Sequence, residues 1–193
     1  MKPFSRVSIQ TAEFDVVQEI AALRADDHRV GAVCSFVGTV RDRGMVPTLP
    51  AARSALPPEG ALAPWGGLAA QMAPTLSGTD ATILSMELEH YPGMTERSIE
   101  AMIDAAYQRF DIFGTRIIHR VGLLLPSDPI VLVVITSAHR GMSFQACEFL
   151  MDYLKTQAPF WKKEVTAQGA RWVDARVSDD AALARWGIVA INA

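Results

Sequence analysis

Cationic side chains placed at the ends of apolar segments are the residues in this chain whose type and spacing suit chemistry. Between Thr136 and Glu164 three blocks follow one another: Thr136-Ser137-Ala138-His139-Arg140 closes an apolar strand, Met151-Asp152-Tyr153-Leu154-Lys155 ends a helix, and Ala158-Pro159-Phe160-Trp161-Lys162-Lys163-Glu164 follows its stop. Arg41 stands after another strand in the same manner. A lysine surrounded by aromatic and aliphatic groups loses hydration, which disfavours its ammonium form and lowers its pKa. Such a lysine binds an anion, shuttles a proton or attacks an acyl carbon.

Sites in α/β sheets gather at strand ends, so convergence of Arg41, His139, Arg140, Lys155 and Lys162 predicts a positive pocket for a small anion. Plainer readings stand beside this one. Lys155 in a last turn complements the helix dipole, which stabilises by about 0.3–1 kcal/mol. Arg41 and Arg43 suit solvated loop charges, and His139 suits a cap or core histidine. Lys162 and Lys163 are adjacent in a strand, so at most one of them faces the pocket.

Composition removes several function classes. A net charge of -3 argues against a general polyanion binder and hence against nucleic acid. Four histidines and two cysteines are scattered without metal-ligand spacing, so no metal site is expected and no cofactor is implied. His90 and His119 read as structural, and Cys34 and Cys147 as buried thiols rather than a disulfide. There is no Walker or Rossmann glycine loop and no serine-nucleophile motif, which leaves a nucleotide-dependent transferase without support. No run approaches the roughly 18 apolar residues of a membrane helix, and no signal-peptide block follows the N-terminus, so the expected compartment is the cytoplasm.

The elements that must position these cations are legible from periodicity. Val7-Ser8-Ile9-Gln10 predicts a strand, and Thr11 or Asp15 caps a helix carrying Val16, Val17, Ile20 and Leu23. Gly31 to Val40 predicts a strand, as does Thr82 to His90, with Leu84, Met86 and Leu88 expected on one face. Thr95 is expected to cap a helix with Ile99, Met102, Ile103, Ala106 and Phe110 toward the core. Arg116 to Gly122 reads as a mixed strand, and Ile130 to Ile135 as a central strand buried on both faces. The helix after Gly141 is expected to bury Phe144, Cys147, Leu150, Met151 and Leu154, and Pro159 to stop it. Two further strands, Phe160 to Val165 and Arg171 to Arg176, meet at a turn near Gln168-Gly169, and Asp180 to Arg185 has a helical pattern.

One stretch breaks the pattern. From about 44 to 80 the chain carries six prolines among alanines and glycines, which excludes a regular helix or central strand. It reads as a surface insertion, the sharper alternative being a lid or partner-contact segment anchored by Trp65 and Leu68, with a short helix at Gly67 to Met72. With it, residues 1–193 are expected to form a single α/β domain with mixed sheets.

Several blocks together resemble one family, the large catalytic subunit of molybdopterin synthase. They are Phe36-Val37-Gly38-Thr39-Val40-Arg41, Glu87-Leu88-Glu89-His90-Tyr91-Pro92-Gly93-Met94, Thr136 to Arg140, Met151 to Thr156, Ala158 to Glu164 and Arg171-Trp172-Val173, in the family's order. The resemblance implies an α/β hammerhead fold with mixed sheets and an additional small antiparallel sheet. It implies a homodimer that binds a small ubiquitin-like sulfur-carrier subunit ending in a Gly-Gly thiocarboxylate, giving a heterotetramer. The implied reaction inserts two sulfurs into cyclic pyranopterin monophosphate to make the molybdopterin dithiolene. Carried over by position, Lys155 and Lys162 take catalytic roles, and Thr39, Val40, Arg41, His139, Arg140, Lys163 and Glu164 join both lysines in binding substrate. The insertion departs from the family's shorter loop. The alternative is a non-catalytic relative, an anion-binding or scaffold homodimer that engages a ubiquitin-like partner without sulfur transfer.

Overall fold

β-branched residues dominate the segment Pro129–Ser137, and every residue from Val131 to Ser137 in it is buried. The segment is strand β6, flanked on both sides in a four-stranded mixed sheet of order β1-β4-β6-β2. The computed structural model describes residues 5–41, 82–173 and 185–187. In that sheet β1 is Val7–Gln10, β2 is Ala32–Thr39 and β4 is Gly114–Arg120. β1 runs parallel to β4, while β4 and β2 run antiparallel to β6. The second sheet is wholly antiparallel, of order β5-β3-β7-β8, from β3 (Ile83–His90), β5 (Gly122–Leu124), β7 (Phe160–Thr166) and β8 (Gly169–Val173). The mixed sheet and the small antiparallel one agree with the fold expected above.

Three helices complete the described chain. α1 (Val16–Arg24) is capped by the Asp15 carboxylate, which accepts from the Val17 and Gln18 amides at 2.9 and 3.0 Å. Arg116 of β4 holds α1 on the sheet through Glu19 at 2.8 Å. α2 (Met94–Arg109) and α3 (Arg140–Thr156) cover the other face, where Ile99, Ile103, Ala146, Phe149 and Leu150 meet Ile117, Val133 and Ile135. Trp186 packs edge-on against Phe110 and Phe149, and its indole Nε1–H donates to Asp152 of α3 at 2.8 Å.

Three expectations need correction. Leu84 is 54% exposed while Ile83 is buried, because the β3–β7 register slips between Ile83 and Ser85 and reverses the alternation there. The cap of α2 is Gly93, not Thr95: Gly93 has a φ of 79°, and its amide donates to the Glu96 carboxylate at 2.6 Å. Thr95 lies inside the first turn, where its hydroxyl is within 3.1 Å of the Tyr91 amide nitrogen and carbonyl oxygen. On α3, Phe144 is 58% exposed and Phe149 is the buried aromatic. Residues 44–80, with Trp65 and Leu68, lie outside the described residues, as do 174–184.

The buried-thiol expectation holds for Cys147 and needs correction for Cys34, which is only partly buried in edge strand β2; His119 is structural as expected. Cys34 and Cys147 are free, and burial pushes the Cys147 thiol up to about 12. The His119 ring stacks on Phe160 at 3.9 Å and donates from Nδ1 to the Arg120 carbonyl at 2.9 Å. Desolvation pushes its pKa down to about 4, partly opposed by that hydrogen bond. The unfolded chain, with His119 near 6.5, therefore binds more protons between these values, and stability rises with pH across that window. Below it the contribution is lost. His119→Phe keeps a stacking ring and removes the proton, so urea midpoints measured from pH 4 to 7 should fall less steeply on acidification than in the parent chain.

Candidate functional site

Two antiparallel connections decide where the cations go. β2 ends at Thr39 opposite Pro129, the first residue of β6, and the Val40 amide donates to the Asp128 carbonyl at 2.9 Å. Arg41 therefore stands at the starting end of β6. The chain leaves the far end of β6 at Ser137, turns through His139 and returns along α3 over the same sheet. After Pro159 it reaches Phe160, which stacks on His119, and His119 pairs with Val131 near the start of β6. The last turn of α3, with Lys155, thus lies at the same end of the mixed sheet as Arg41 and the start of β7.

β7 supplies the next cation and fixes its direction. Lys162 pairs in register with Leu88, and Glu164 with Met86, both of them buried side chains on the inner face of the second sheet. Val40 packs into the same cluster as Met86, Leu88 and Leu124, so the residue before Arg41 seals against the face that carries Lys162. Lys163 pairs with Glu87 and Trp172 on the opposite face; its Nζ lies 3.4 Å from the Glu87 carboxylate and 5.6 Å from the centre of the Trp172 ring. Alternation along one strand separates the adjacent lysines, as their spacing implied.

Glu164 is fully buried, and its two oxygens meet different cations: Lys162 Nζ at 3.7 Å and Arg171 Nη2 at 3.4 Å. A buried carboxylate is tolerated only when paired, so this residue anchors cations instead of presenting a negative group to an anionic ligand. Arg171 was not singled out in the sequence. The signal that reveals it is the turn at Gly169, which places Arg171 opposite Glu164 in the β7–β8 pair.

His139 and Arg140 do not join this group within one chain. Both are exposed at the N-terminus of α3, His139 as its cap residue. Fifteen helical steps at about 1.5 Å each put Arg140 roughly 22 Å from Lys155. Lys155 itself is exposed, so the apolar enclosure expected around it is not supplied by the described residues of its own chain. Thr39 is exposed at the end of β2, and the Val40 side chain is 2% exposed, leaving only its backbone to address a ligand. Arg41, Lys155 and Lys162 thus lie toward one end of the mixed sheet, and His139 and Arg140 at the other end of the helix. Among the described residues there is no cluster of three metal-ligating side chains, and no helix is long and apolar enough to cross a membrane.

Residues 52–157 match the family model described as MoaE protein. A molybdopterin synthase catalytic subunit from Ralstonia nicotianae is 50% identical over 187 residues, which is 97% of this chain and 87% of that relative. The solved molybdopterin biosynthesis MoaE protein from Burkholderia ambifaria is 45% identical, with a TM-score of 0.68 over 96% of this chain and 99% of the other. A protein–protein complex of subunits 1 and 2 of the molybdopterin-converting factor from Helicobacter pylori shares the fold, with a TM-score of 0.57 at 17% identity over 89% of this chain and 92% of that one.

Proposed function

Because the chain belongs to the MoaE family, which includes the catalytic subunits of molybdopterin synthase, we propose that its two cation groups act together, each pocket drawing one group from each of two copies. The observation that carries this reading is the length of α3, which keeps Arg140 and Lys155 about 22 Å apart in one chain. A two-fold pairing of copies brings one end of a helix against the other end of its mate, and makes two identical pockets.

The partner on the same reading is a small subunit whose C-terminus carries a thiocarboxylate, and the substrate is cyclic pyranopterin monophosphate. Support for a small partner comes from the Helicobacter pylori assembly of two subunits. Both reactants are anions and repel each other. Arginine suits a bidentate grip on the phosphate, which fits Arg41 and Arg140, while His139 adds a donor beside Arg140. Lys155 and Lys162 meet the sulfur-bearing terminus and hold it near the pterin, converting a collision into a bound encounter.

In each transfer the thiocarboxylate sulfur forms a bond to a substrate carbon as a carbon–oxygen bond at that carbon breaks and the oxygen leaves with the bonding electron pair and takes up a proton. Water then cleaves the resulting thioester, and the small subunit departs as a carboxylate while its sulfur stays behind. Lys155 stabilises the charge on the acyl oxygen during that cleavage and passes a proton to the substrate-bound sulfur as its bond to the acyl carbon breaks. Lys162, tethered to Glu164, fixes the approach of the terminus. Thr39 and the Val40 backbone line the entry, and Lys163 lies outside the pocket on the opposite sheet face.

The deciding experiment incubates the chain with thiocarboxylated small subunit and cyclic precursor and measures dithiolene product. Product formed in wild-type chain and lost in Lys155→Ala, with small-subunit binding retained, is the expected result. Binding without product in the wild-type chain would instead favour the scaffold homodimer, and would sink the catalytic reading.

A further inference from the structure

The turn Tyr91-Pro92-Gly93 brings the first turn of α2 against the chain that leaves α3. Thr95 is fully buried there, and its hydroxyl lies 3.2 Å from the Pro159 carbonyl. One turn further on, the Ser98 hydroxyl reaches the Gln157 carbonyl at 3.4 Å. Positions three apart share a helix face, so both hydroxyls meet the same short link between α3 and β7. A hydroxyl has one proton, and that of Thr95 has two carbonyls within reach. The Tyr91 carbonyl already receives the Met94 and Thr95 amides at 3.1 and 3.0 Å, and the Tyr91 amide donates to the Thr95 oxygen at 3.1 Å. The Thr95 proton therefore goes to Pro159.

We propose that Thr95 and, more weakly, Ser98 are positioning residues for Lys155, clamping the last turn of α3 through the link that follows it. The inference rests on the assignment of Lys155 to the sulfur-transfer pocket. The end of a helix is its least secure turn, because its last carbonyls lack amide partners. Pro159 weakens this end further: it has no amide to donate, and it disfavours helical geometry at Ala158. The exposed Lys155 sits in that turn, two residues before Gln157. α2 supplies what the link lacks. Its Ile99, Met102 and Ile103 are buried in the core, so the hydroxyls beside them are fixed points.

Lys162 needs no such clamp, since β7 pairs it with Leu88. Around Lys155, Leu154 and Thr156 are buried on either side, and the Gln157 amide closes the turn on the Tyr153 carbonyl at 2.8 Å. These contacts keep the helix folded to its end, and the clamp sets where that end points. Without the Thr95 proton the turn opens more often, and Lys155 leaves the place from which it meets the acyl oxygen. A charge placed for the transition state contributes little to the bound ground state. Opening therefore lowers kcat more than it weakens binding of the small subunit.

The test uses the full chain, alone for amide exchange by NMR, and with thiocarboxylated small subunit and cyclic precursor for turnover. Thr95→Val keeps the side-chain shape and removes the proton. Exchange at the Gln157 and Phe160 amides should speed up by about tenfold, the effect of losing one buried hydrogen bond. kcat should fall by about three- to tenfold with little change in KM for the small subunit. Thr95→Ser should restore both readouts most of the way, and Ser98→Ala, which removes a longer bond, should move both by about two- to threefold. Phe14→Leu is the control: Phe14 packs with Ile118, Leu132 and Val134 in a separate cluster, away from the clamp. It should lower the unfolding midpoint and leave both readouts in place. Unchanged exchange at Gln157 and Phe160 in Thr95→Val overturns the proposal, whatever happens to the rate. So does faster exchange with kcat intact, and so does a Phe14→Leu chain that shows the same two changes. If Thr95→Val does not fold, Ser98→Ala decides by the same criteria. A wild-type chain without turnover would defeat the sulfur-transfer reading instead, and amide exchange would still report whether Thr95 holds the end of α3.

Discussion

Mixing a Lys155→Ala chain with an Arg140→Ala chain is expected to restore synthase activity that neither variant has alone. Each single variant should lose about 10²–10³-fold in turnover, the usual effect of deleting one preorganised charge from a transition-state site. If a pocket takes Lys155 from one copy and Arg140 from the other, a mixed dimer has one pocket with both defects and one with neither. Random exchange makes about half the dimers mixed, so about a quarter of wild-type activity should return. The reason is the geometry of α3, a helix of 17 residues that holds the two charges at its opposite ends. No recovery, with subunit exchange verified by native mass spectrometry, would place both residues in pockets that do not communicate.

The second large effect is on stability. Phe149→Ala should destabilise the fold by about 3–5 kcal/mol, as expected for a large side chain removed from a closed site. Phe149 is 0% exposed and meets three aromatic rings, those of Tyr153, Trp186 and Phe110, at centroid distances of 5.2, 5.4 and 5.6 Å. The ring joins α2, α3 and residues near the C-terminus, so the lost contacts come from three parts of the chain and cannot be regained by a local shift. Domains have only about 5–15 kcal/mol in hand, which makes this a severe lesion. Denaturant unfolding of the full chain measures it, and a change under 1 kcal/mol would mean that this junction is not cooperative with the core. Phe144→Ala, at the exposed position five residues earlier, should be close to neutral and serves as the control.

The contrast between those two phenylalanines shows where the sequence was legible. Hydrophobic spacing located α3, and Cys147, Leu150 and Leu154 do face the core. It misplaced the aromatic because the buried stripe also runs through Ser143 and Ala146, which are too small or polar to stand out. Phe149 lies to one side of that stripe and is buried by α2 and Trp186, contacts that no local window contains. Leu84 failed for a related reason, since a bulge depends on the partner strand. β6, by contrast, announced itself, because an unbroken β-branched run has few other uses.

The candidate site divides along the same line. Residue types and their positions at element ends were readable, and so was the opposed direction of Lys162 and Lys163. Their grouping was not. Nothing local in the stretch from His139 to Lys155 says that a helix will hold its two ends in different places relative to Arg41. Arg171 was invisible as a partner of Glu164 until the β7–β8 register set them side by side.

Strand β2 has a consequence for how such a chain must be produced. It lies at the edge of the mixed sheet, eight residues without a charge, with Phe36 and Val37 each 39% exposed. Edge strands of this kind are templates for cross-strand association, and natural proteins usually blunt them with lysine or proline. A polypeptide newly released from the ribosome carries, for as long as that edge stays open, a segment prone to inclusion-body formation. Yield of folded material should therefore depend on how long that edge stays open as much as on the strength of the core.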